Sequence, residues 1–323
     1  MRVLIIIIFM AVALSAQSQN CCTGGSPLAN NLNLLNLDSG LSVQIVYDHN
    51  LMNDFVSGGE VLDDDSYDRY NSSAFLQISW ALNQNFSFGL MLNHSSHYLN
   101  RQTVNVDRET KSKGIGDLVL TSNYNIWKKG KHNVQIGAGL VLPTGENDAR
   151  DEKFDILLPW DLQPGYGGWG GIIMAQYQNG RIITDNLNYF GLLVYQHLFK
   201  NQKPETSQTF QQGSEYQFYQ GLGYNIFLNN NILLAPQAGL RLKYTNQDQI
   251  DDALVESSGG IWVYKMLGLN ILLPNNLTFM MAYESPVFRR LNGSQLTTSS
   301  RFRFGVSMFF GGKEKPKERN FNF

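Results

Sequence analysis

His94-Ser95-Ser96 places an imidazole two residues from a hydroxyl. In an extended chain, positions two apart share a face. His94 would then stand beside Ser96 as the base of an activated nucleophile, with Asn100 near enough in sequence to orient it. Such a pair on an apolar wall would hydrolyse acyl esters. Toward the C-terminus Glu284 lies one strand before Arg301 and Arg303, which suggests an ion pair in a polar interior. Asp63-Asp64-Asp65 with Asp68 offers hard oxygen ligands of the kind Ca²⁺ takes. The run lacks the alternating spacing and the glycine of a dedicated calcium loop, so it reads as a solvated acidic loop. Cys21 and Cys22 are adjacent and bridge one another only through a strained ring. The five histidines (49, 94, 97, 132 and 197) are scattered with no cysteine among them, so no metal set is expected. No cofactor is expected either.

The chain that must position these groups has 323 residues, 16% charged and 12% aromatic, with 30 glycines. A soluble domain usually carries about 25% charged residues. Here Asn, Gln, Ser, Gly and aromatics stand in for the missing charge. Lys+Arg number 25 and Asp+Glu 27, a formal net charge of −2. Without a clustered basic face the chain is not expected to bind nucleic acid. A mean hydropathy of −0.23 argues equally against a bundle of membrane helices.

Residues 1–16 read as a secretory signal: Arg2 gives the positive start, Val3–Leu14 the apolar core, and Ala16-Gln17-Ser18 a small-residue exit. The apolar stretch is well short of the roughly 20 residues a spanning helix needs. Gln19 and Asn20 occupy the places where a lipoprotein signal has small residues, so Cys21 is not expected to be lipidated. Residues 17–39 form either a periplasmic leader or a short lumenal plug. Residues 312–323 form a charged periplasmic tail, and 40–311 the body of the protein.

Within that body the apolar residues recur at every second position, the signature of a strand with one apolar face. Leu41, Val43, Ile45 and Tyr47 begin the series; Leu76, Ile78, Trp80 and Leu82 follow, then Phe86, Phe88, Leu90 and Leu92. The last strand sets Phe302, Phe304, Val306, Met308 and Phe310 against Arg301, Arg303, Gly305 and Ser307. About twelve strands emerge. Facing is less clean across 169–200 and 261–273. Connections alternate strictly between tight turns and long polar loops, the latter near 49–70, 96–113, 143–166, 198–213, 246–259 and 286–299. An antiparallel transmembrane β-barrel with long extracellular loops and short periplasmic turns has this asymmetry. A β-sandwich would alternate its faces too, but nothing in it forces every second loop to be long. In hydrocarbon every backbone N–H and C=O needs a partner, so a spanning sheet must close on itself. The expected location is the bacterial outer membrane, with lipid and the barrel-insertion machinery as partners.

In such a barrel the second face of each strand lines the lumen. The candidate solute path contains Gln135, Gln237, Arg241, Lys243, Glu284, Arg301 and Arg303. A cationic constriction there would favour anionic or polar solutes; alternatively these residues satisfy one another and fill the interior.

Three short motifs carry a family resemblance: Gly114-Ile115-Gly116-Asp117, Pro143-Thr144-Gly145 and Gln163-Pro164-Gly165. In this order they resemble the outer-membrane transporter family named for the meta-pathway of phenol degradation. The resemblance implies passage of a small, often hydrophobic or aromatic molecule across the outer membrane, without catalysis. The motif residues themselves read as structural: Gly114 and Gly116 permit a bend or bulge. The His94-x-Ser96 spacing is similar to that of outer-membrane phospholipases and lipid A deacylases, although the Asn-Gly expected after the serine in the phospholipases is missing. A barrel that does not conduct, binding ions or partners through its surface loops, is the third reading.

Overall fold

The computed structural model describes residues 39–64, 66–103, 106–202, 207–228 and 231–311. The expected signal, the leader or plug at 17–39 apart from Ser39, Cys21, Cys22 and the tail at 312–323 lie outside the described residues. Twelve long strands follow in chain order. They are β1 Gly40–Leu51, β2 Tyr67–Ala81, β3 Phe86–Thr103 and β4 in two segments, Val106–Ile115 and Leu118–Lys129. Next come β5 His132–Leu142, β6 Gly170–Asn179, β7 Leu187–Leu198 and β8 Glu215–Tyr224. The set ends with β9 Leu233–Thr245, β10 Gly260–Leu272, β11 Leu277–Leu291 and β12 Ser300–Phe310. Each pairs antiparallel with its neighbours. β12 returns to β1 in an unbroken register from Leu41↔Phe310 to Leu51↔Ser300, so the sheet closes. Among the described residues no helix is long and apolar enough to cross a membrane; spanning falls to the strands.

The side-chain period of two then does the sorting. Ile45, Trp80, Phe88, Leu140, Ile173 and Phe304 point outward and are exposed. Ser42, Gln44, Gln77, Asn123, Gln176 and Ser307 point inward and are buried. Outward aromatics gather beside the short turns (Trp80, Trp127, Tyr224), where lipid meets the periplasm.

Three features depart from the sequence expectation. First, β3 and the outer segment of β4 pair from His94↔Ile115 to Thr103↔Val106, so most of the stretch expected as loop 96–113 is sheet. Outside lipid the outward residues turn polar, and the hydrophobic alternation stops while the backbone pairing continues. β2 and β11 run past their expected limits for the same reason. Second, the inner face is not polar throughout. Met91, Val119, Val141, Ile172, Leu192 and Val194 form a buried apolar cluster on β3–β7. With Ile173 and Leu193 facing lipid, β6 and β7 are apolar on both faces, which is why their facing was obscure. Third, the other long loops are built. Asp54–Ser57, Glu60–Leu62 and Ser294–Thr297 make a three-stranded sheet. Parts of 201–254 make a four-stranded one. The loop between β5 and β6, by contrast, turns into the barrel.

Candidate functional site

The inturned loop carries a short 3-10 turn, Trp160–Leu162. Asp161 pairs at 2.8 Å with Arg69, an inward residue of β2. Ser112 donates to the Leu162 carbonyl. Trp160 stacks on Phe210 at 4.6 Å between ring centroids. Leu158 and Leu162 are buried.

The three sequence motifs converge to seat this loop. The Asp117 carboxylate accepts backbone N–H bonds from Gly145 (2.9 Å), Tyr166 (2.7 Å) and Gly167 (3.2 Å). Thr144 Oγ1 accepts from the Leu118 amide at 2.9 Å. The Glu146 amide bonds the Ile115 carbonyl, and the Gly165 amide the Glu146 carbonyl, both at 2.8 Å. Gly145 and Gly165 must be glycine because the backbones touch. A Cβ on Gly165 would lie 2.6 Å from the Gly145 Cα, and one on Gly145 would lie 2.7 Å from the Gly116 carbonyl carbon. The bend expected at Gly114–Gly116 is present, interrupting β4, and its purpose is to bring Asp117 under the loop.

Beneath this roof lies an open chamber of about 210 Å³. One wall is polar (Asn71, Ser73, Asn93, Ser95, His97); the other is the apolar cluster at Met91, Val119, Val141 and Ile172. Tyr166, Phe210 and Trp160 face it from the roof. Asp48, Glu215 and Arg301 reach it from below. A second, smaller chamber of about 90 Å³ follows toward the periplasm, lined by Gln44, Phe190, Tyr219, Gln237, Met280 and Arg303 among others.

A belt of charge separates the two. Arg301 Nε lies 2.8 and 3.0 Å from the Asp48 carboxylate oxygens, and its Nη2 2.7 Å from Oδ2. Arg241 Nη2 meets Glu284 Oε2 at 2.7 Å, and Arg303 holds the other oxygen. Lys243 pairs with Glu215 at 2.7 Å. Aromatic faces support the cations: the Arg241 guanidinium sits 4.1 Å from the Tyr264 ring centroid and Lys243 Nζ 5.4 Å from that of Trp262. Glu284 is 0% exposed and Arg241 2%. Ions this far from water persist only when paired with good geometry. Four cations meet three carboxylates, so the belt is nearly neutral rather than a cationic ring.

Sequence reasoning thus placed Arg241, Lys243, Glu284, Arg301 and Arg303 in one group. It set Glu284 beside Arg301 and Arg303; the structure pairs Glu284 with Arg303 and also with Arg241, and gives Arg301 to Asp48. Gln237 lies in the lower chamber. Gln135 faces inward on β5, opposite Gln176, away from the belt. Asp48 and Glu215 were missed because they stand at the margins of expected loops. Strand parity with Gln44, and with Gln217, would have found both. His94 is exposed and shares the outward face with Ser96; no hydrogen bond joins them among the described residues. Nor do the described residues contain a His, Cys, Asp or Glu cluster placed to hold a metal ion.

A closed twelve-stranded sheet, apolar outside and polar or packed within, defines a bacterial outer-membrane β-barrel with a roofed lumen. The chain belongs to the family described as the MetA-pathway of phenol degradation, whose sequence profile matches residues 67–287. In fold it is similar to an outer-membrane channel from Pseudomonas putida F1, with 15% identity, 85% of this chain and 97% of that one covered, and a TM-score of 0.66. The β domain of the Bordetella autotransporter BrkA is 13% identical over 84% of this chain and all of that one, at a TM-score of 0.49. No protein of curated function matches the sequence.

Proposed function

We propose that the barrel is a gated channel that passes a small molecule through its lumen. The observation that carries this reading is the stacking of two chambers on either side of a belt made of side chains, beneath a roof held by local hydrogen bonds. Side chains and a seated loop can be displaced without breaking the barrel wall. The upper chamber opposes amides, hydroxyls and an imidazole to an apolar wall, with three aromatic rings overhead. This suits a small solute with an apolar or aromatic part and a hydrogen-bonding part, and the near-neutral belt below does not select strongly for anions. The resemblance to one outer-membrane channel by name, at the level of fold, agrees with this reading. An ester hydrolase at His94 and Ser96 has less support, because the imidazole and hydroxyl are not hydrogen-bonded and no orienting group is in place.

The test is ion conductance of the mature barrel refolded into a planar bilayer. Discrete steps are expected. A barrel shown to be inserted, by a mobility difference between unboiled and boiled samples on a denaturing gel, but electrically silent and unable to release small solutes from vesicles, would overturn the proposal. Acyl hydrolysis lost in Ser96→Ala or His94→Ala would establish the hydrolase instead.

A further inference from the structure

On the outside of the barrel, β1 to β4 end their apolar faces differently from β7, β8, β9 and β12. Near their extracellular ends β7, β8, β9 and β12 present Tyr195, Tyr216, Tyr244 and Phe302 outward, the usual amphipathic border between lipid and water. On β1–β4 the outward apolar residues give way instead to His49, Ser72, Ser96 and Lys113, with His94 one row nearer the lipid on β3. These four are neighbours across the sheet, in the pairings His49↔Ser72, Ser72↔Ser96 and Ser96↔Lys113. The next row outward is Tyr70, Tyr98 and Lys111. Tyr70 and Tyr98 lie 4.6 Å apart at 12° between planes, and Lys111 Nζ is 5.6 Å from the Tyr98 centroid. The row beyond that is Asp68, Asn100 and Glu109. Cations therefore sit next to the lipid-facing surface and carboxylates farther from it. A merely solvated face would mix the signs.

We propose that this face binds a phosphorylated glycolipid of the outer leaflet. The sheet continues without a break from the lipid-facing wall, so a lipid whose chains lie on Tyr47, Leu92 and Ile115 brings its headgroup to these rows. Lys113 is exposed and no carboxylate pairs with it among the described residues. Lys111 is held at 2.6 Å by Glu109 and can turn toward a phosphate of greater charge. The flat Tyr70–Tyr98 pair offers an apolar surface to the C–H face of a sugar ring, and Ser72 and Ser96 offer hydroxyls to its oxygens. Ser72 Oγ is already 2.8 Å from His49 Nδ1, which fixes its direction. The combination recognises a phosphosugar attached to lipid and is independent of what the lumen carries.

The experiment is native mass spectrometry of the full mature barrel in detergent, titrated with diphosphoryl lipid A and, separately, with phosphatidylethanolamine. Lipid A is expected to remain bound to the wild type and the zwitterionic lipid to dissociate. Lys111→Ser with Lys113→Ser should weaken lipid A binding by tenfold or more, and Tyr98→Ala by a smaller factor. Lys128→Ser with Lys129→Ser, the same change of charge beside a periplasmic turn, should leave it unaltered. Equal retention of both lipids by the wild type, or equal lipid A binding by the two double variants, overturns the proposal. Gel mobility of unboiled samples shows that each variant is folded.

Discussion

Replacing Asp117 with alanine should unseat the inturned loop. Its carboxylate accepts three backbone N–H bonds from residues on the two limbs of that loop. A hydrogen bond to a charged group contributes about 1.5–3 kcal/mol net. Two of these bonds are short and one is long, and they are not fully additive, so the latch stabilises the seated loop by about 3–5 kcal/mol. At about 1.4 kcal/mol per factor of ten, Asp117→Ala should shift the ratio of seated to displaced loop by roughly two to three and a half orders of magnitude. Asp117→Asn keeps one acceptor oxygen but turns an amide N–H₂ toward backbone donors, and should fall between. Gly165→Ala attacks the same latch sterically, since its Cβ would meet the Gly145 Cα at 2.6 Å. Single-channel recording in planar bilayers reads the effect as a shorter dwell in the low-conductance level. A folded, inserted Asp117→Ala barrel with the closed dwell of the wild type would refute the assignment of the loop as gate and Asp117 as its latch.

Three further outcomes follow from the described contacts. Glu284→Gln strips the counter-charge from Arg241 and Arg303, and loss of one partner from a buried pair costs about 3–5 kcal/mol; the temperature at which the barrel loses its unboiled gel mobility should fall, and an unchanged temperature would contradict the pairing. Asp248, buried in the loop after β9, has its carboxyl raised to about 7 by burial, with Asp161 adding to the rise and the Gly213 amide and Lys243 opposing it. A folded value above the usual 3.8 means the folded state is favoured with Asp248 protonated, so that contribution to stability is complete below about pH 4 and lost as pH rises through 7. The temperature at which the barrel loses its unboiled gel mobility should fall from pH 5 to 8, and Asp248→Asn should flatten that dependence. Lys265 points outward, opposite Leu240, on the lipid-facing wall. Its cost is about 0–1 kcal/mol if the ammonium reaches the interface and more if it does not, so Lys265→Leu should raise resistance to denaturant without altering conductance.

The closed sheet was legible because lipid imposes one rule on every outward position, and Phe302 to Phe310 obey it without exception. Where lipid stops, the rule stops, and the pairing of His94–Thr103 with Val106–Ile115 left no mark in hydropathy. Inside the barrel no single rule holds. Val194 and Asn188 both face the lumen on β7, one against an apolar wall and one among amides. Arg301 and Arg303 were recognisable as lumenal by parity, but parity says nothing about which carboxylate lies across the barrel, and Asp48 is 253 positions away in sequence. The glycine motifs announced a special backbone. That they meet in one place could be seen only once the chain was closed.

The outer segment of β4 pairs with β3 on one side only. Along its other side runs the inturned loop: Ile115 is bonded to Glu146, Ser112 donates to the Leu162 carbonyl, and Arg108 pairs with Asp151 at 3.0 Å. An uncovered strand edge is a template for pairing with another chain. The loop that roofs the lumen therefore also acts as an edge protector, and the two duties are coupled. Each displacement of the loop exposes a strip of unpaired backbone to neighbouring barrels. Variants that hold the channel open should in consequence associate laterally, or capture added β-strand peptides, at concentrations where the wild type stays solitary.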